Sequence, residues 1–275
     1  RGKSAIEDHF DIAFELESLL ERRGKHETLR EVRTISDLIN VSYIRQKEPL
    51  GLGHAILVAR DLVGHEPFAV FLGDDVIHAK VPVMKQMIEV HARTGSSVIA
   101  VERVARERSR DYGMVAVDAA DAGRDQKTGA ADGRGRTYRI TDLVEKPPPE
   151  EAPSDLAIIG RYILTAEIFP HLEKTAAGRG GEIQLTDGLR SLLKVQPITA
   201  YAFEGIRYDT GDKLGFLKAT VEFALRRPDL GGPSRAYLES LSLNAKAVRP
   251  DAPRAARPVK AAGRRTAPAR RRRAG

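Results

Sequence analysis

The order of apolar and polar residues along the chain predicts strands that alternate with helices. Apolar residues recur at helical spacing from Ile6 to Leu20, after a Ser4–Glu7 segment typical of a helix start, and Gly24 ends this helix. Further helices are predicted at residues 55–63, 81–94, 166–174, 186–195 and 212–226. Runs rich in β-branched or aromatic residues predict strands at residues 41–45, 68–72, 97–104, 112–117, 137–144, 156–164 and 198–203. This alternation favours an α/β protein with three layers, helix, sheet and helix.

One predicted strand runs directly into two carboxylates. Phe68 to Leu72 are five consecutive apolar residues, which predict a fully buried strand, and Gly73, Asp74 and Asp75 follow. Ligands of open α/β sheets bind beyond the carboxyl ends of the strands. Mg²⁺ prefers one or two carboxylates together with substrate phosphates. The pair is therefore a candidate Mg²⁺ site, and an acidic turn that caps the next helix is an equally good interpretation of this segment alone.

A second candidate site is the loop from Gln46 to Ala55, which joins a predicted strand to a predicted helix. Gly51 and Gly53 allow backbone N–H groups to approach a flat or anionic ligand. Gln46 carries a donor and an acceptor, enough to recognise the edge of a base. A plain turn remains the favoured interpretation of this loop by itself.

Other polar residues lie where predicted strands end. Glu145 can accept hydrogen bonds from sugar hydroxyls and Lys146 can neutralise a phosphate, or the two can form a surface ion pair. Asp209 lies in a tight turn before a helix, where a helix cap is the alternative. Gly113 is either a point of close approach or the glycine that starts a strand.

The positive charge of the chain is concentrated near its C-terminus. Residues 249–275 hold ten Lys and Arg residues and one Asp, a net charge of +9, so the total of +7 leaves residues 1–248 at −2. This segment is rich in Ala, Pro and Arg and cannot bury enough apolar surface to offset the entropy of ordering. We predict a disordered tail, which is more often a solvated appendage than a nucleic-acid-binding arm.

Composition narrows the classes of site further. The chain has no Cys, which excludes disulfides, thiolate metal sites and a Cys nucleophile. No apolar run reaches the ~18 residues that a membrane span needs. The sequence starts with Arg1 rather than Met, and we expect it to begin partway into a longer protein.

Several motifs follow one another in a specific order. They are Arg1 to Asp11, Gln46 with Leu50-Gly-Leu-Gly-His-Ala55, Leu72-Gly-Asp-Asp75, Asp111-Tyr-Gly113, Val144-Glu-Lys-Pro147, Gly160-Arg-Tyr-Ile-Leu164, Gly181-Glu-Ile-Gln-Leu-Thr-Asp187 and Arg207-Tyr-Asp-Thr-Gly-Asp-Lys-Leu-Gly-Phe216. In this order they resemble the bacterial UTP–glucose-1-phosphate uridylyltransferases, also called UDP-glucose pyrophosphorylases. The resemblance covers residues 1–230 or so.

The resemblance implies a fold and a domain organisation. The expected fold is a Rossmann-like, three-layer α/β/α sugar-nucleotidyltransferase fold with a mixed sheet. Residues 1–232 would form the catalytic domain and residues 233–275 the disordered basic tail. Family members begin with a strand and a G-x-G-T-R loop that cradles the triphosphate, and we expect this chain to lack that first βαβ portion and to be a poor catalyst. A cytoplasmic, homo-oligomeric protein without membrane contact is also implied.

The resemblance further implies an activity, with UTP and glucose 1-phosphate as substrates and Mg²⁺ as cofactor. The products would be UDP-glucose and pyrophosphate. Carried over by resemblance, the catalytic residues are Asp74, Lys146 and Asp209, with Asp74 and Asp209 as metal ligands, and the substrate-binding residues are Gln46, Gly51, Gly53, Asp75, Gly113, Glu145 and Gly160. Within this set Gln46 would recognise uracil, Gly51 and Gly53 would lie against the base, and Gly113 and Glu145 would contact glucose. The alternatives are a non-catalytic sugar-nucleotide-binding fragment and nucleic-acid binding through the basic tail.

Overall fold

A computed structural model describes residues 5–118 and 136–241 of the chain. Ser4 of the predicted helix start, residues 119–135 between the strands predicted at 112–117 and 137–144, and the basic segment 249–275 lie outside these ranges. The chain divides into two units, residues 1–219 and 220–275.

Eight strands and ten helices lie within the described residues. The strands are β1 (Phe68–Phe71), β2 (Asp75–His78), β3 (Ser97–Arg103), β4 (Gly113–Val117), β5 (Arg136–Glu145), β6 (Leu156–Leu164), β7 (Ile198–Ala202) and β8 (Ile206–Asp209). The helices are α1 (Ala5–Phe10), α2 (Phe14–Arg22), α3 (His26–Ser36), α4 (Leu52–Leu57), α5 (Arg60–Val63), α6 (Val83–Thr94), α7 (Ile168–Lys174), α8 (Leu185–Leu192), α9 (Lys213–Arg226) and α10 (Gly231–Ser240). Short 3₁₀ turns lie at Arg106–Asp111, Pro149–Glu151 and Arg179–Gly181.

The main sheet has six strands in the order β1-β6-β3-β7-β5-β4. β3 and β7 are parallel, whereas the other neighbours are antiparallel. β2 and β8 form a second, two-stranded antiparallel sheet. The expected mixed sheet is therefore confirmed.

The main sheet is covered on both faces. Val98 and Ala100 of β3 pack in a cluster with α6, while Ile99 and Val101 point into a larger cluster that includes residues of α4, α7 and α8. Successive side chains of a strand alternate between faces, so a strand buried on both sides reads as a continuous apolar run. The three-layer α/β/α arrangement predicted from the sequence is confirmed.

Most of the predicted elements in the main sheet are confirmed, with ends that differ by a few residues. The predicted strand at 156–164 matches β6. The helix predicted at 81–94 is α6, and Gly95 follows it with φ +63°. A glycine in this left-handed conformation is a common helix end, because no Cβ opposes it.

The strand at residues 68–72 is not fully buried, and that prediction is wrong. β1 lies at an edge of the main sheet and pairs only with β6 within the described residues. Its side chains alternate between half-buried and exposed, and Phe71 is 57% exposed. The guanidinium of Arg161 lies over the Phe71 ring, 4.9 Å from its centroid.

Three other predictions also need correction. Residues 41–45 do not form a strand: their side chains are exposed, and their backbone belongs to neither sheet of the described ranges. The single helix predicted up to Gly24 is two helices, α1 and α2, and α3 follows without having been predicted. α10 occupies part of the segment 233–275, so the predicted disorder is wrong for residues 233–240.

The small sheet was also missed, because β2 and β8 have four residues each. Such short strands give almost no periodicity to detect. None of the helices within the described residues is long and apolar enough to cross a membrane.

Candidate active site

The turns that leave β1 and β8 lie side by side. In the small sheet Asp75 is paired with Asp209. The backbone carbonyl of Asp74 accepts hydrogen bonds from the N–H and the hydroxyl of Thr210, at 2.7 and 2.8 Å. A Cβ built on Gly211 would lie 3.1 Å from Asp74 Oδ2 and 3.3 Å from Asp209 Oδ1. The carboxylates of Asp74 and Asp209 therefore border one small space, which is open because residue 211 has no side chain.

The donor set in this space is two carboxylates. Asp74 is exposed, and the Asp209 side chain is 32% exposed. No group of three or more His, Cys, Asp or Glu side chains that could hold a metal occurs within the described residues. Two carboxylates suit Mg²⁺, which takes its remaining oxygens from substrate phosphates and water. The assignment of Asp74 and Asp209 as metal ligands stays a prediction.

Asp75 occupies a different environment from its neighbour Asp74. Its side chain is 7% exposed, its Oδ2 accepts the backbone N–H of Gly160 at 3.0 Å, and its Oδ1 accepts a bond from Arg207. A Cβ on Gly160 would come within 2.5 Å of Asp75 Oδ2 and 2.6 Å of Leu72 Cβ. Gly160 is therefore needed to bring β6 against the turn after β1.

These contacts bear on the predicted roles of Asp75 and Gly160. Asp75 does not cap a helix, because it begins β2 and the next helix begins at Val83. Both of its oxygens are engaged inside the protein, and Gly160 meets Asp75 and Leu72 at the position where a side chain would begin. Their contacts support a structural role, and substrate binding by either residue remains an untested prediction.

Arg207 joins the two turns, and sequence analysis did not single it out. Its side chain is 8% exposed. It donates to Asp75 Oδ1 and, at 3.2 Å, to Asp209 Oδ2. Its guanidinium lies over the ring of Tyr112, 5.3 Å from the centroid, and donates to the Tyr112 hydroxyl at 3.3 Å. The third acidic neighbour is Glu102, whose Oε2 lies 3.9 Å from Arg207 Nη1.

Burial and charge set the pKa values around Arg207. Burial alone lowers the pKa of the Arg207 guanidinium, but its bonds to Tyr112 and Asp75 outweigh burial and raise that pKa above its usual value. Burial raises the pKa of Glu102, against the attraction of Arg207. Burial also raises the pKa of Tyr162, and the negative charges of Glu145 and Asp75 act in the same direction. Arg207 is therefore a permanent cation at this position.

A second cluster brings together Gly113, Glu145 and Lys146. Gly113 is paired with Glu145 between β4 and β5, and a Cβ on Gly113 would lie 3.2 Å from Glu145 Oε2. Thr186, at the start of α8, donates to Glu145 Oε2 at 2.6 Å. Lys146 Nζ lies 3.8 Å from Glu145 Oε1. Sequence analysis treated Thr186 only as a helix-start residue, since nothing in the chain pattern shows its contact with β5.

Lys146 has an unusual backbone conformation. Its φ is +46°, and among the described residues it is the one non-glycine residue with a positive φ. Its N–H donates to the carbonyl of Tyr112 at 3.0 Å. A strained residue of this kind persists only where its surroundings impose it, and such residues concentrate at functional sites. The turn holds Lys146 next to Glu145 with its side chain half exposed to solvent.

The loop from Gln46 to Ala55 packs against the segment before α8. The Gly53 N–H donates to Ile183 O at 2.9 Å, and the Ile183 N–H donates to Leu50 O at 2.8 Å. Gly51 has φ +89°, and a Cβ there would lie 2.8 Å from Glu182 Cβ. Close packing of residues 182–183 therefore accounts for both glycines. The predicted contact of Gly51 and Gly53 with a base is untested, and the Gly53 N–H is already engaged.

Gln46 fixes the same loop from within. Its Nε2 donates to Gly51 O at 3.1 Å and lies 2.9 Å from His54 Nδ1. The residues from Glu182 to Thr186 then connect this loop to the Glu145 cluster, since Ile183 contacts one and Thr186 the other. Tyr112, next to Gly113, connects that cluster to Arg207. The structure thus brings the predicted site residues into one continuous network.

Comparison with known proteins gives a consistent result. The profile of the nucleotidyl transferase family matches residues 11–225. Two UTP–glucose-1-phosphate uridylyltransferases of Bacillus subtilis are each 46% identical to this chain over 241 residues, or 88% of it, and the match covers 77% and 78% of their lengths. A UTP–glucose-1-phosphate uridylyltransferase of Staphylococcus epidermidis is 45% identical over 243 residues, covering 88% of this chain and 80% of that protein.

Solved structures agree with these sequence matches. A UTP-bound UGPase from Acinetobacter baumannii is 35% identical and superposes with a TM-score of 0.76, covering 87% of this chain and 79% of that one. A UDP-glucose pyrophosphorylase complexed with UDP-glucose is 38% identical, with a TM-score of 0.67, covering 87% of this chain and 78% of the other.

Proposed function

Because the chain belongs to the nucleotidyl transferase family, and within it to the UTP–glucose-1-phosphate uridylyltransferases, we propose that it transfers the uridylyl group of UTP to glucose 1-phosphate. This membership confirms the resemblance inferred from the sequence motifs. The observation that carries the proposal is the convergence of Asp74 and Asp209 beside a separate cluster of Gly113, Glu145 and Lys146. The first pair suits a metal–phosphate site and the second cluster suits a sugar phosphate.

In the proposed reaction, a phosphate oxygen of glucose 1-phosphate attacks the α-phosphorus of UTP. A new P–O bond forms, the bond from the α-phosphorus to the bridging oxygen of the β-phosphate breaks, and pyrophosphate leaves with that electron pair. The attacking phosphate is already ionised at neutral pH, so no general base is required. Catalysis by positioning and charge neutralisation is sufficient, as in phosphoryl transfer generally.

Asp74 and Asp209 would hold Mg²⁺ in this scheme. Bound there, the ion would neutralise phosphate charge as it accumulates during transfer. The fit is supported by the open space at Gly211, which one oxygen of each carboxylate borders. The bond from Thr210 to Asp74 O and the pairing of β2 with β8 hold together the backbone segments that carry the two carboxylates.

Glu145 is proposed to bind the glucose hydroxyls. Its side chain is 25% exposed, and Thr186 occupies Oε2 from the protein side. Oε1 faces Lys146, which is proposed to pair with a phosphate of the substrate. The carbonyl oxygen of Gln46 is proposed to accept the N3–H of uracil, because its amide nitrogen is already engaged with Gly51 and His54.

The alternatives have less support. The nucleic-acid hypothesis rests on residues 249–275, which lie outside the described part of the chain, while residues 1–248 carry a net charge of −2. A sugar-nucleotide-binding fragment without activity would use the same clusters, and the assay below separates it from an enzyme. A homo-oligomeric state and a cytoplasmic location stay predictions.

The test is a direct assay of the chain with UTP, glucose 1-phosphate and MgCl₂, in which UDP-glucose and pyrophosphate are both quantified. We expect equal amounts of the two products. Asp74→Asn should lower the rate by about 10²-fold, since losing the metal's stabilisation costs several kcal/mol and each 1.4 kcal/mol is tenfold. Pyrophosphate release without UDP-glucose, or no UDP-glucose at all, would contradict the proposal.

Asp212→Asn is the matched control for that experiment. The Asp212 carboxylate lies three residues after Asp209, in the turn between β8 and α9, but it accepts the Gly215 N–H at 2.9 Å and so caps the start of α9. Asn caps helices about as well as Asp. This variant should therefore keep the activity that Asp74→Asn loses.

A further inference from the structure

Arg207 makes contacts that a simple structural ion pair does not require. It is almost fully buried, and it reaches acidic side chains on both segments of the candidate metal site. On the first segment it binds Asp75, the residue directly after Asp74. On the second it binds Asp209 itself. One guanidinium group thus spans the two turns that carry the predicted metal ligands.

The two carboxylate oxygens of Asp209 accept hydrogen bonds from different donors. Oδ2 accepts the hydrogen bond from Arg207 at 3.2 Å. Oδ1 accepts the Gly211 N–H at 3.2 Å and borders the same space as Asp74 Oδ2. Without Arg207 one bond, from the Gly211 N–H, would remain to orient the carboxylate about its χ2 torsion, which is broad for a side chain of this type. With Arg207 in place, Oδ1 is held toward the open space.

The contact with Asp75 acts on the other ligand through the backbone. Asp75 is held by Arg207 on one oxygen and by the Gly160 N–H on the other. These bonds fix where β2 begins, and Asp74 is the residue immediately before it. The Tyr112 ring and hydroxyl set the plane of the guanidinium. Tyr112 therefore orients the guanidinium group of Arg207 independently of the two carboxylates that it binds.

We propose that Arg207 is the positioning residue of the metal-binding pair, orienting Asp209 directly and Asp74 through Asp75. The inference rests on the proposed function only in taking Asp74 and Asp209 as the metal ligands. The positive charge of Arg207 by itself opposes a nearby cation, so any gain in metal affinity comes from orientation. Lys keeps the charge but cannot present a planar fork to two carboxylates. Arg207→Lys therefore isolates the effect of orientation from that of charge.

The test is a titration of the full chain with Mn²⁺ alone. The electron paramagnetic resonance signal of free Mn²⁺ measures how much of the ion is bound. The wild-type chain should bind one ion, and Asp74→Asn should abolish that binding. Arg207→Lys should raise the Mn²⁺ dissociation constant by about tenfold or more, the usual effect of losing a partner that orients a metal ligand. Thermal unfolding in EDTA reports stability separately.

Arg33→Lys is the matched control, because Arg33 pairs with Glu17 at 2.9 Å between α2 and α3 and touches neither ligand turn. It should leave the Mn²⁺ dissociation constant unchanged. An Arg207→Lys variant that is less stable but binds Mn²⁺ like the wild type would overturn the proposal and leave Arg207 as a fold contact. Absence of Mn²⁺ binding by the wild-type chain would overturn it as well.

Tyr112→Phe covers the case in which Arg207→Lys does not fold. It removes the hydroxyl that accepts from Arg207 and keeps the ring beneath the guanidinium. A smaller loss of Mn²⁺ affinity in the same direction supports the proposal, and an unchanged affinity contradicts it. The product assay gives an independent result: a chain that makes no UDP-glucose but shows the Arg207 effect on Mn²⁺ refutes the proposed function alone.

Discussion

Two acidic residues in the site, Asp75 and Glu145, are held in opposite ways. Asp75 is 7% exposed, and its two oxygens accept bonds from Gly160 and Arg207. Glu145 is 25% exposed, with Thr186 on one oxygen and Lys146 at 3.8 Å from the other. Sequence analysis assigned both to substrate binding. A carboxylate enclosed by internal donors therefore stabilises the fold, whereas one that faces solvent on one side is available to a ligand.

The comparison extends to the regions around these two residues. The turns that carry Asp74 and Asp209 are held by a buried arginine, a charged donor with several carboxylate partners. The cluster of Gly113, Glu145 and Lys146 is held by the hydroxyl of Thr186, a neutral donor to the Glu145 carboxylate. Removing one partner of a buried ion pair costs about 3–5 kcal/mol, whereas a hydrogen bond to a charged group contributes about 1.5–3 kcal/mol. We therefore expect the loss of Asp75 to act mainly on stability, and changes at Glu145 or Thr186 to act mainly on substrate use.

The largest expected effect is that of Asp75→Ala on stability. Breaking a buried ion pair by removing one partner costs about 3–5 kcal/mol, because the other charge is left buried without compensation. Here that charge is the guanidinium of Arg207, which keeps Asp209 at 3.2 Å and Glu102 at 3.9 Å, so we expect a loss near the lower end of this range. Urea denaturation of the variant and the wild type gives the change in the free energy of unfolding.

Asp155→Ala provides the comparison on the surface. Asp155 pairs with Arg103 at 2.5 Å, but both side chains are nearly half exposed. Exposed ion pairs contribute about 0–1 kcal/mol. If Asp75→Ala destabilised the protein no more than Asp155→Ala, Asp75 would not be the structural residue that its contacts indicate.

The sequence was informative about the main sheet because burial leaves a strong pattern there. The run at 156–164, apolar apart from Arg161, and the Gly95 helix end are local signals, and β6 and α6 follow from them. β1 shows the limit of that approach. The five apolar residues at 68–72 do not show how many neighbours the strand has, and β1 is an edge strand with an exposed face.

The second expected effect is on substrate use and concerns Glu145→Gln. The amide keeps the shape of the side chain but removes the charge that strengthens bonds from sugar hydroxyls. We expect a loss of about 1.5–3 kcal/mol in the use of glucose 1-phosphate, roughly 10- to 150-fold in kcat/KM, with little change in the KM for UTP. Steady-state kinetics with each substrate varied in turn measures both. Equal losses for the two substrates would indicate that Glu145 forms a surface ion pair with Lys146 and does not bind glucose.

The candidate site was predictable in part, for a physical reason that these residues make plain. Asp74, Glu145 and Asp209 lie at strand ends, where pattern alone suggests ligands. Arg207 and Thr186 act through contacts with residues distant in sequence, Asp75 and Glu145. Gly51 and Gly53 are small because Ile183 packs against them, and a glycine pattern cannot distinguish a ligand from a neighbouring backbone. Contacts between residues that are distant in sequence cannot be predicted from the pattern of a single sequence.

The smallest effect in this comparison is expected for Thr186→Val. Valine has nearly the shape of threonine and lacks the hydroxyl that donates to Glu145 Oε2 at 2.6 Å. Glu145 then loses an orienting bond but keeps its charge. Only part of the roughly 1.5–3 kcal/mol of that bond appears in substrate binding, so the KM for glucose 1-phosphate should rise about 2- to 12-fold while the KM for UTP stays the same. Thr186→Ser keeps the donor and should stay close to the wild type. If the Ser and Val variants behaved alike, the packing of residue 186, and not its hydrogen bond, would be what holds Glu145 in place.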